Sequence, residues 1–237
     1  MSRLALALSI IASLSFSATT ASARHSSSTP PSMRFAEPPH TSVSNDVHTS
    51  VNNDVKARFD RIPDRAAVRA KLAAARAANL AHFRSYQKKG AFPNNTYTSG
   101  KLNVWLDDAG NLCAAATIIK LSGQDALVAR VAAQDNFIRL ADVKHGPLMD
   151  WILTSGLTHD EIVAIQEPMM RVTDEPSLEP AQPIVVDARL RRLENRRLIA
   201  KYRQVDARIV KQQRRSLDAA VDRLMAKPRL AARFLAS

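Results

Sequence analysis

All six glycines of the 237-residue chain lie between residues 90 and 156. Glycine marks turns and the ends of helices, so a stretch without glycine can stay helical over a long distance. The distribution therefore predicts a compact, turn-rich module over residues 91–168, with long helices on either side. The predicted fold class is mainly helical α+β: a small central module with a β-hairpin and short helices, flanked by long amphipathic helices.

The first 23 residues have the three parts of a secretory signal peptide. Arg3 gives a positive start, residues 4–16 form an apolar run, and residues 21–23 read Ala-Ser-Ala, the small-residue pattern that precedes a cleavage site. The apolar run is shorter than the ~20 residues that a membrane-spanning helix needs. We therefore expect export to the periplasm or the extracellular space, with no transmembrane span after the signal is cleaved.

The next segment, residues 24–57, is rich in Ser, Thr, Pro and Asn and poor in large apolar side chains. Such a composition cannot build a core and predicts a disordered linker. Residues 58–90 are assigned to the first long helix, because the sequence from Asp64 to Lys89 is rich in Ala and lacks Gly and Pro. Asp64 is placed to cap the start of this helix, and Gly90 to end it.

Inside the module, the sequence KLNVWLDDAGNLCAAATIIKL of residues 101–121 predicts a β-hairpin. Apolar side chains alternate with others before Asp-Asp-Ala-Gly-Asn, a favourable turn sequence. Residues 112–121 would form the second strand, covered on both faces. A helix over these residues is left open as the alternative. Residues 124–133 predict a helix, and residues 137–143 predict a third strand.

The end of the module predicts two short helices joined at Gly156. Pro147 suits the first position of one helix, and Thr158 with Glu161 fits a capping box at the start of the other. The second helix is acidic, and a recognition helix of that charge would be repelled by DNA phosphates. We therefore do not interpret the pair as a DNA-binding helix-turn-helix.

Charge is divided unevenly along the chain. Residues 24–90 hold 12 Lys and Arg against 5 Asp and Glu, residues 91–183 hold 6 against 12, and residues 184–237 hold 15 against 5. Residues 169–183 predict a Pro-rich acidic linker, and residues 184–237 a long basic helix, continuous from residue 185 to residue 226. Its apolar side chains recur about every 3.8 residues, more than the 3.5 of a left-handed coiled coil, so we expect it to lie along other elements or to bend.

The basic helix carries the first functional hypothesis, because clustered cations bind anionic surfaces. The chain would be an exported, non-enzymatic scaffold or binding protein that contacts anionic lipid, envelope polysaccharide or extracellular nucleic acid. The alternative is a solvated face that the acidic module partly neutralises. The candidate anion-binding residues are Arg189, Arg192, Arg196, Lys201, Arg203 and Arg208.

The chain has one cysteine, Cys113, so it cannot form an internal disulfide. Free cysteine is among the most buried residue types, and we interpret Cys113 as core packing. Two alternatives remain: a thiol that is redox-active or pairs between chains, and a thiol hydrolase with Cys113 as nucleophile, His145 as base and Asp142 as the orienting carboxylate. The sequence has no HExxH or CxxC spacing, and we predict neither a metal site nor a cofactor.

Overall fold

A computed structural model describes residues 62–173 and 185–237. The predicted signal peptide, the disordered linker and residues 174–183 of the acidic linker lie outside the described residues. The two described ranges contain eight α-helices and one two-stranded antiparallel sheet. The predicted class, mainly helical α+β, is confirmed.

The two strands pair antiparallel, with Lys101 opposite Met170. A short 3-10 turn covers Leu140–Asp142. The others are α1 (Arg65–Lys89), β1 (Lys101–Leu102), α2 (Ala114–Leu121), α3 (Asp125–Gln134), α4 (Pro147–Thr154), α5 (His159–Ile165), β2 (Met169–Met170), α6 (Ala188–Lys211), α7 (Gln213–Met225) and α8 (Pro228–Ala236).

Helix α1 forms as its sequence predicts. The Asp64 carboxylate accepts a hydrogen bond from the amide of Ala66 at 2.8 Å, and Gly90 ends the helix with a positive φ of 64°. Leu80 and Phe83, on the predicted apolar face, are buried in the larger of two core clusters, together with Trp105. The smaller cluster joins the first half of α1 to α7 and α8. Helix α1 therefore holds the basic C-terminal helices against the central module.

The predicted hairpin is wrong, because residues 114–121 form α2 and β1 pairs with β2 instead. Three consecutive alanines begin α2, and alanine favours helix more than any other residue. All three are completely buried, as are Ile118 and Ile119, but Leu121 is 49% exposed, so the predicted cover on both faces holds only for the start and middle of the run. A single antiparallel bridge between Leu106 and Leu112 is what remains of the hairpin.

The predicted third strand over residues 137–143 is also wrong, because the 3-10 turn lies there. The buried side chain of Gln166 replaces the hydrogen bonds that a neighbouring strand would supply. Its Oε1 accepts from the amide of Leu140 at 2.8 Å, and its Nε2 donates to the carbonyl of Ile138 at 2.8 Å. The segment is thereby satisfied without a partner strand.

The predicted continuous basic helix is broken at Gln212, where α6 ends and α7 begins. The helix was expected to lie along other elements or to bend, and the first is what the burial shows: Ile209 of α6 and Val221 of α7 are both buried in the core. The apolar side chains recur about every 3.8 residues, whereas an α-helix has about 3.6 residues per turn, so the apolar face would turn gradually around a straight helix. The break at Gln212 interrupts the helix within this run. Leu193, one of the apolar side chains counted in that spacing, is 47% exposed.

The corner between α4 and α5 packs tightly on α1. The capping box forms as predicted, since the Thr158 hydroxyl accepts from the amide of Glu161 and the Glu161 carboxylate accepts from the amide of Thr158. Gly156 has a φ of 75°, and a Cβ atom there would lie 2.1 Å from the carbonyl oxygen of Leu72. Only glycine fits between the two elements.

A buried ion pair joins the same corner to α1. Arg76 donates to both carboxylate oxygens of Glu161, at 2.8 and 2.7 Å, and the two side chains are only 2% and 6% exposed. The guanidinium also donates to the carbonyls of Gly156 and Ile209. Arg76 therefore connects α1, the α4–α5 corner and α6 at one point.

Candidate anion-binding surface

Helices α6 and α7 hold twelve Lys and Arg residues. Three of them contact acids or carbonyls: Arg191, Arg197 and Lys201. The other nine are exposed and make no ion pair or side-chain hydrogen bond to any residue in 62–173 or 185–237. The nine are Arg189, Arg192, Arg196, Arg203, Arg208, Lys211, Arg214, Arg215 and Arg223.

The acids of α6 and α7 do not neutralise these nine cations, because each acid already has a partner. Three of the four carboxylates pair with arginines of α1, which runs antiparallel to α6 and α7. Arg84 contacts Asp206 at 3.1 Å, Arg69 contacts Asp218, and Arg65 contacts Asp222. The three acids are thus paired with α1, and the nine cations keep their charge without an acid partner in the described part of the chain.

The fourth acid anchors α6 to the module. Glu194 is buried and accepts from Arg197 at 2.7 Å and from the amide of Met170 at 2.9 Å. Arg197 also reaches Glu167 at 2.6 Å. These hydrogen bonds, first those with Glu194, raise the pKa of Arg197. The charges of this inward group are therefore matched, unlike those on the outer side.

Four arginines form a line along the outer side of α6, which we call the α6 stripe: Arg189, Arg192, Arg196 and Arg203. Successive members are 3, 4 and 7 residues apart. At 3.6 residues per turn these spacings place all four within about 60° of one another, and the line is about 21 Å long. The buried side chains of Leu198 and Tyr202 lie on the opposite side of the helix. The stripe is therefore a straight row of charge facing solvent.

Five of the six predicted anion-binding candidates are exposed and lack an ion-pair partner among the described residues. Four of them make up the α6 stripe, and the fifth, Arg208, lies nearer the break. The sixth, Lys201, lies 4.0 Å from Glu167 and belongs to the matched inward group. The stripe can be predicted from the spacing of the arginines along one helix. The contact of Lys201 with Glu167 cannot, because it depends on where the module packs against α6.

A second group of cations was missed by the sequence analysis, apart from Arg208. Arg208, Lys211, Arg214 and Arg215 surround the break at Gln212, and we call them the bend cluster. They line an open concavity of about 890 Å³ that has no acidic residue in its lining. The sequence signal for this cluster is the short run KQQRR after Val210. It was missed because a continuous helix, as predicted, would spread these side chains over a convex surface.

Cys113 is 1% exposed, and its burial fits the interpretation as packing. It caps α2, where its sulfur accepts from the amide of Ala116 at 3.4 Å. A helix start lowers a thiol pKa, but burial is the larger effect and raises the pKa of Cys113 to about 12. The thiol is therefore protonated at neutral pH.

The other members of the hydrolase hypothesis lie on the surface. His145 and Asp142 are exposed, and Asp142 lies 3.6 Å from Arg139. A buried, protonated thiol and an exposed imidazole do not form the nucleophile–base pair that the reaction needs. This geometry gives no support to the alternative based on Cys113, His145 and Asp142.

The described residues, 62–173 and 185–237, contain neither a metal-binding cluster nor a membrane-spanning helix. No group of three or more His, Cys, Asp and Glu side chains in this part of the chain is arranged to hold a metal ion. No helix there combines the length and apolar character needed to cross a membrane. Comparison of the chain with protein-family models, curated proteins and solved structures found no match.

Proposed function

We propose that this chain is an exported, non-enzymatic binding protein that attaches to an anionic lipid surface through the α6 stripe. The observation that supports the proposal is the pairing of the α6 and α7 acids with α1. The acids are paired with arginines of α1, and the arginines of the stripe have no partner among the described residues. Because the acids are engaged elsewhere, these arginines are available to bind an anion from outside the protein.

The form of the stripe favours a flat anionic partner. Four guanidinium groups in a row about 21 Å long can contact one plane together. Only Leu193 and Val210 are exposed large apolar residues on α6, so the helix would rest on the headgroups without inserting into the acyl chains. The tyrosine of α6, Tyr202, is buried, so it cannot stack on the bases of a single-stranded nucleic acid.

Cosedimentation with vesicles tests the proposal. Each cation near an anionic membrane contributes about 1 kcal/mol, so four contribute about 4 kcal/mol, or a factor on the order of 10³ in binding. The variant R189Q/R192Q/R196Q/R203Q should lose most of its binding to phosphatidylserine vesicles. Binding of the unchanged protein should also weaken as salt rises from 0.05 to 0.5 M, since salt screens exposed charges.

A matched control removes four charges elsewhere. Lys88, Lys89, Lys227 and Arg229 are exposed and lie outside α6 and α7. The variant K88Q/K89Q/K227Q/R229Q should retain most of the vesicle binding. Equal loss in the two variants would show that net charge alone attracts the protein. Tight binding to a sulfated polysaccharide or to duplex DNA, without vesicle binding, would replace lipid by one of those partners.

The proposed export rests on the N-terminal sequence and has a separate test. Expression of the full chain in a secretory host should yield a mature protein whose first residue is Arg24, as read by mass spectrometry of the intact chain. Retention inside the cell with residues 1–23 still attached would contradict export. That result would leave the lipid-binding proposal to be judged by the vesicle experiment alone.

A further inference from the structure

The bend cluster differs from the α6 stripe in shape. The stripe is a row along one helix, whereas Arg208, Lys211, Arg214 and Arg215 line a concavity of about 890 Å³ where the helix direction changes. Ligand pockets commonly have volumes of about 300–1,000 Å³. Gln212 and Gln213 also line it, and their side chains can donate hydrogen bonds. The concavity is open and lined by residues of this one segment, so it presents its cations and amides to one side of a compact ligand.

The bend cluster has acids nearby on its own helices, and Asp218 lies on the same side of α7 as Arg214 and Arg215, but none of these acids contacts the cluster in the described part of the chain. The carboxylates nearest in sequence are Asp206 and Asp218, and they pair with Arg84 and Arg69 of α1. The partly negative C-terminal end of α6 and the partly positive N-terminal end of α7 meet at the break and offset each other, so the side chains decide the local potential. Four cations within eight residues, lining one concavity without an acid, indicate a ligand with several negative charges.

We propose that the bend cluster binds a compact soluble ligand that carries two or more adjacent phosphate groups. One phosphate monoester carries a charge of about −1.5 to −2 at pH 7, which would leave about half of the four positive charges unmatched. Two or three linked phosphates match the four cations. Arginine suits this task because its planar guanidinium donates two parallel hydrogen bonds to phosphate oxygens.

Isothermal titration calorimetry of the full chain with tripolyphosphate tests the inference. We expect binding that is at least tenfold tighter than binding of inorganic monophosphate. The variant R208Q/K211Q/R214Q/R215Q should weaken tripolyphosphate binding at least tenfold. The stripe variant R189Q/R192Q/R196Q/R203Q removes the same number of charges from the same helices and should change it less than twofold.

Each other outcome contradicts the inference. Equal weakening in the two variants would mean that tripolyphosphate reports only on net charge. Equal affinity for monophosphate and tripolyphosphate would mean that adjacent phosphates are not recognised. Phosphatidic acid vesicles that bind through the bend cluster, with no binding of tripolyphosphate, would assign the cluster to a lipid headgroup.

If a variant does not fold, NMR spectroscopy of the unchanged protein tests the same inference. Addition of tripolyphosphate should shift the backbone amide resonances of residues 207–215 more than those of residues 189–203. Shifts spread evenly over both ranges would contradict a site at the bend. The inference also stands apart from the proposed function, because loss of vesicle binding and loss of tripolyphosphate binding are expected in different variants.

Discussion

The substitution Glu161→Gln tests the buried ion pair that joins the α4–α5 corner to α1. Glutamine keeps an oxygen that can accept from the amide of Thr158, so the capping box survives while the negative charge is lost. The oxygen that accepts from Thr158 also accepts from Nη1 of Arg76, so the new amide group would face Nη2 of Arg76. Arg76 would then be buried without a counter-charge, with the carbonyls of Gly156 and Ile209 as two further neutral acceptors at 3.0 and 3.3 Å. Removing one partner of a buried pair costs about 3–5 kcal/mol.

We expect the lower end of that range, about 3 kcal/mol, because two neutral acceptors remain for Arg76. For a domain of roughly 150–250 residues this corresponds to a fall in Tm of about 6–12 °C. Urea unfolding followed by circular dichroism measures the free energy of unfolding directly. The control Asp160→Asn makes the same charge change at the next residue, which is exposed, and should cost at most about 1 kcal/mol.

The loss should depend on pH. Burial acts to raise the pKa of Glu161, but the hydrogen bonds from Arg76 and Thr158 outweigh it and the pKa is lowered. A carboxyl group with a lowered pKa in the folded state stabilises the protein above its unfolded pKa of about 4.3, and this contribution is lost as pH falls through the folded pKa. The difference between the unchanged protein and Glu161→Gln should therefore be full at pH 7 and shrink below about pH 4.

A double-mutant cycle decides whether the two side chains act as a pair. Arg76→Met alone should cost a similar amount, because it leaves the Glu161 carboxylate buried and unpaired. The variant Arg76→Met/Glu161→Gln should cost clearly less than the sum of the single changes. Additive losses, or a loss for Glu161→Gln no larger than for Asp160→Asn, would refute the reasoning.

Three other expectations concern the core. Gly156→Ala should cost about 2–5 kcal/mol in urea unfolding, since the new Cβ would meet the carbonyl of Leu72 at a positive φ. Cys113 should not react with Ellman's reagent in the native protein and should react fully in denaturant, because the thiol is buried. Gln166→Leu should cost about 2–4 kcal/mol by the same unfolding assay, because the amide of Leu140 would lose its acceptor inside the core.

The sequence predicts those elements whose boundaries are set by local chemistry. The capping carboxylate of Asp64, the left-handed glycine at residue 90 and the capping box at Thr158 all act within a few residues, and all three form as expected. The cations of the α6 stripe also follow from local spacing, because one helix is enough to align them.

The errors arise where distant residues decide the structure. Whether residues 114–121 become a strand depends on a partner strand, and β1 pairs with residues nearly 70 positions later in the chain. Gln166, at the end of α5, accepts the hydrogen bond of the Leu140 amide, and no local sequence pattern predicts that contact. The bend cluster escaped the sequence analysis for the same reason, since the break at Gln212 accompanies the packing of α6 and α7 on α1.

The salt bridges from α1 to Asp206, Asp218 and Asp222 form only in the folded protein, so the surface potential of α6 and α7 depends on folding. The denatured chain has the same formal charge, but its acids and cations are averaged along a flexible polymer. Folding pairs the acids with α1 and leaves nine cations of α6 and α7 exposed without an acid partner among the described residues. One helix is enough to align the stripe, but the acids of α6 and α7 stay paired elsewhere only while α1 is packed against both helices.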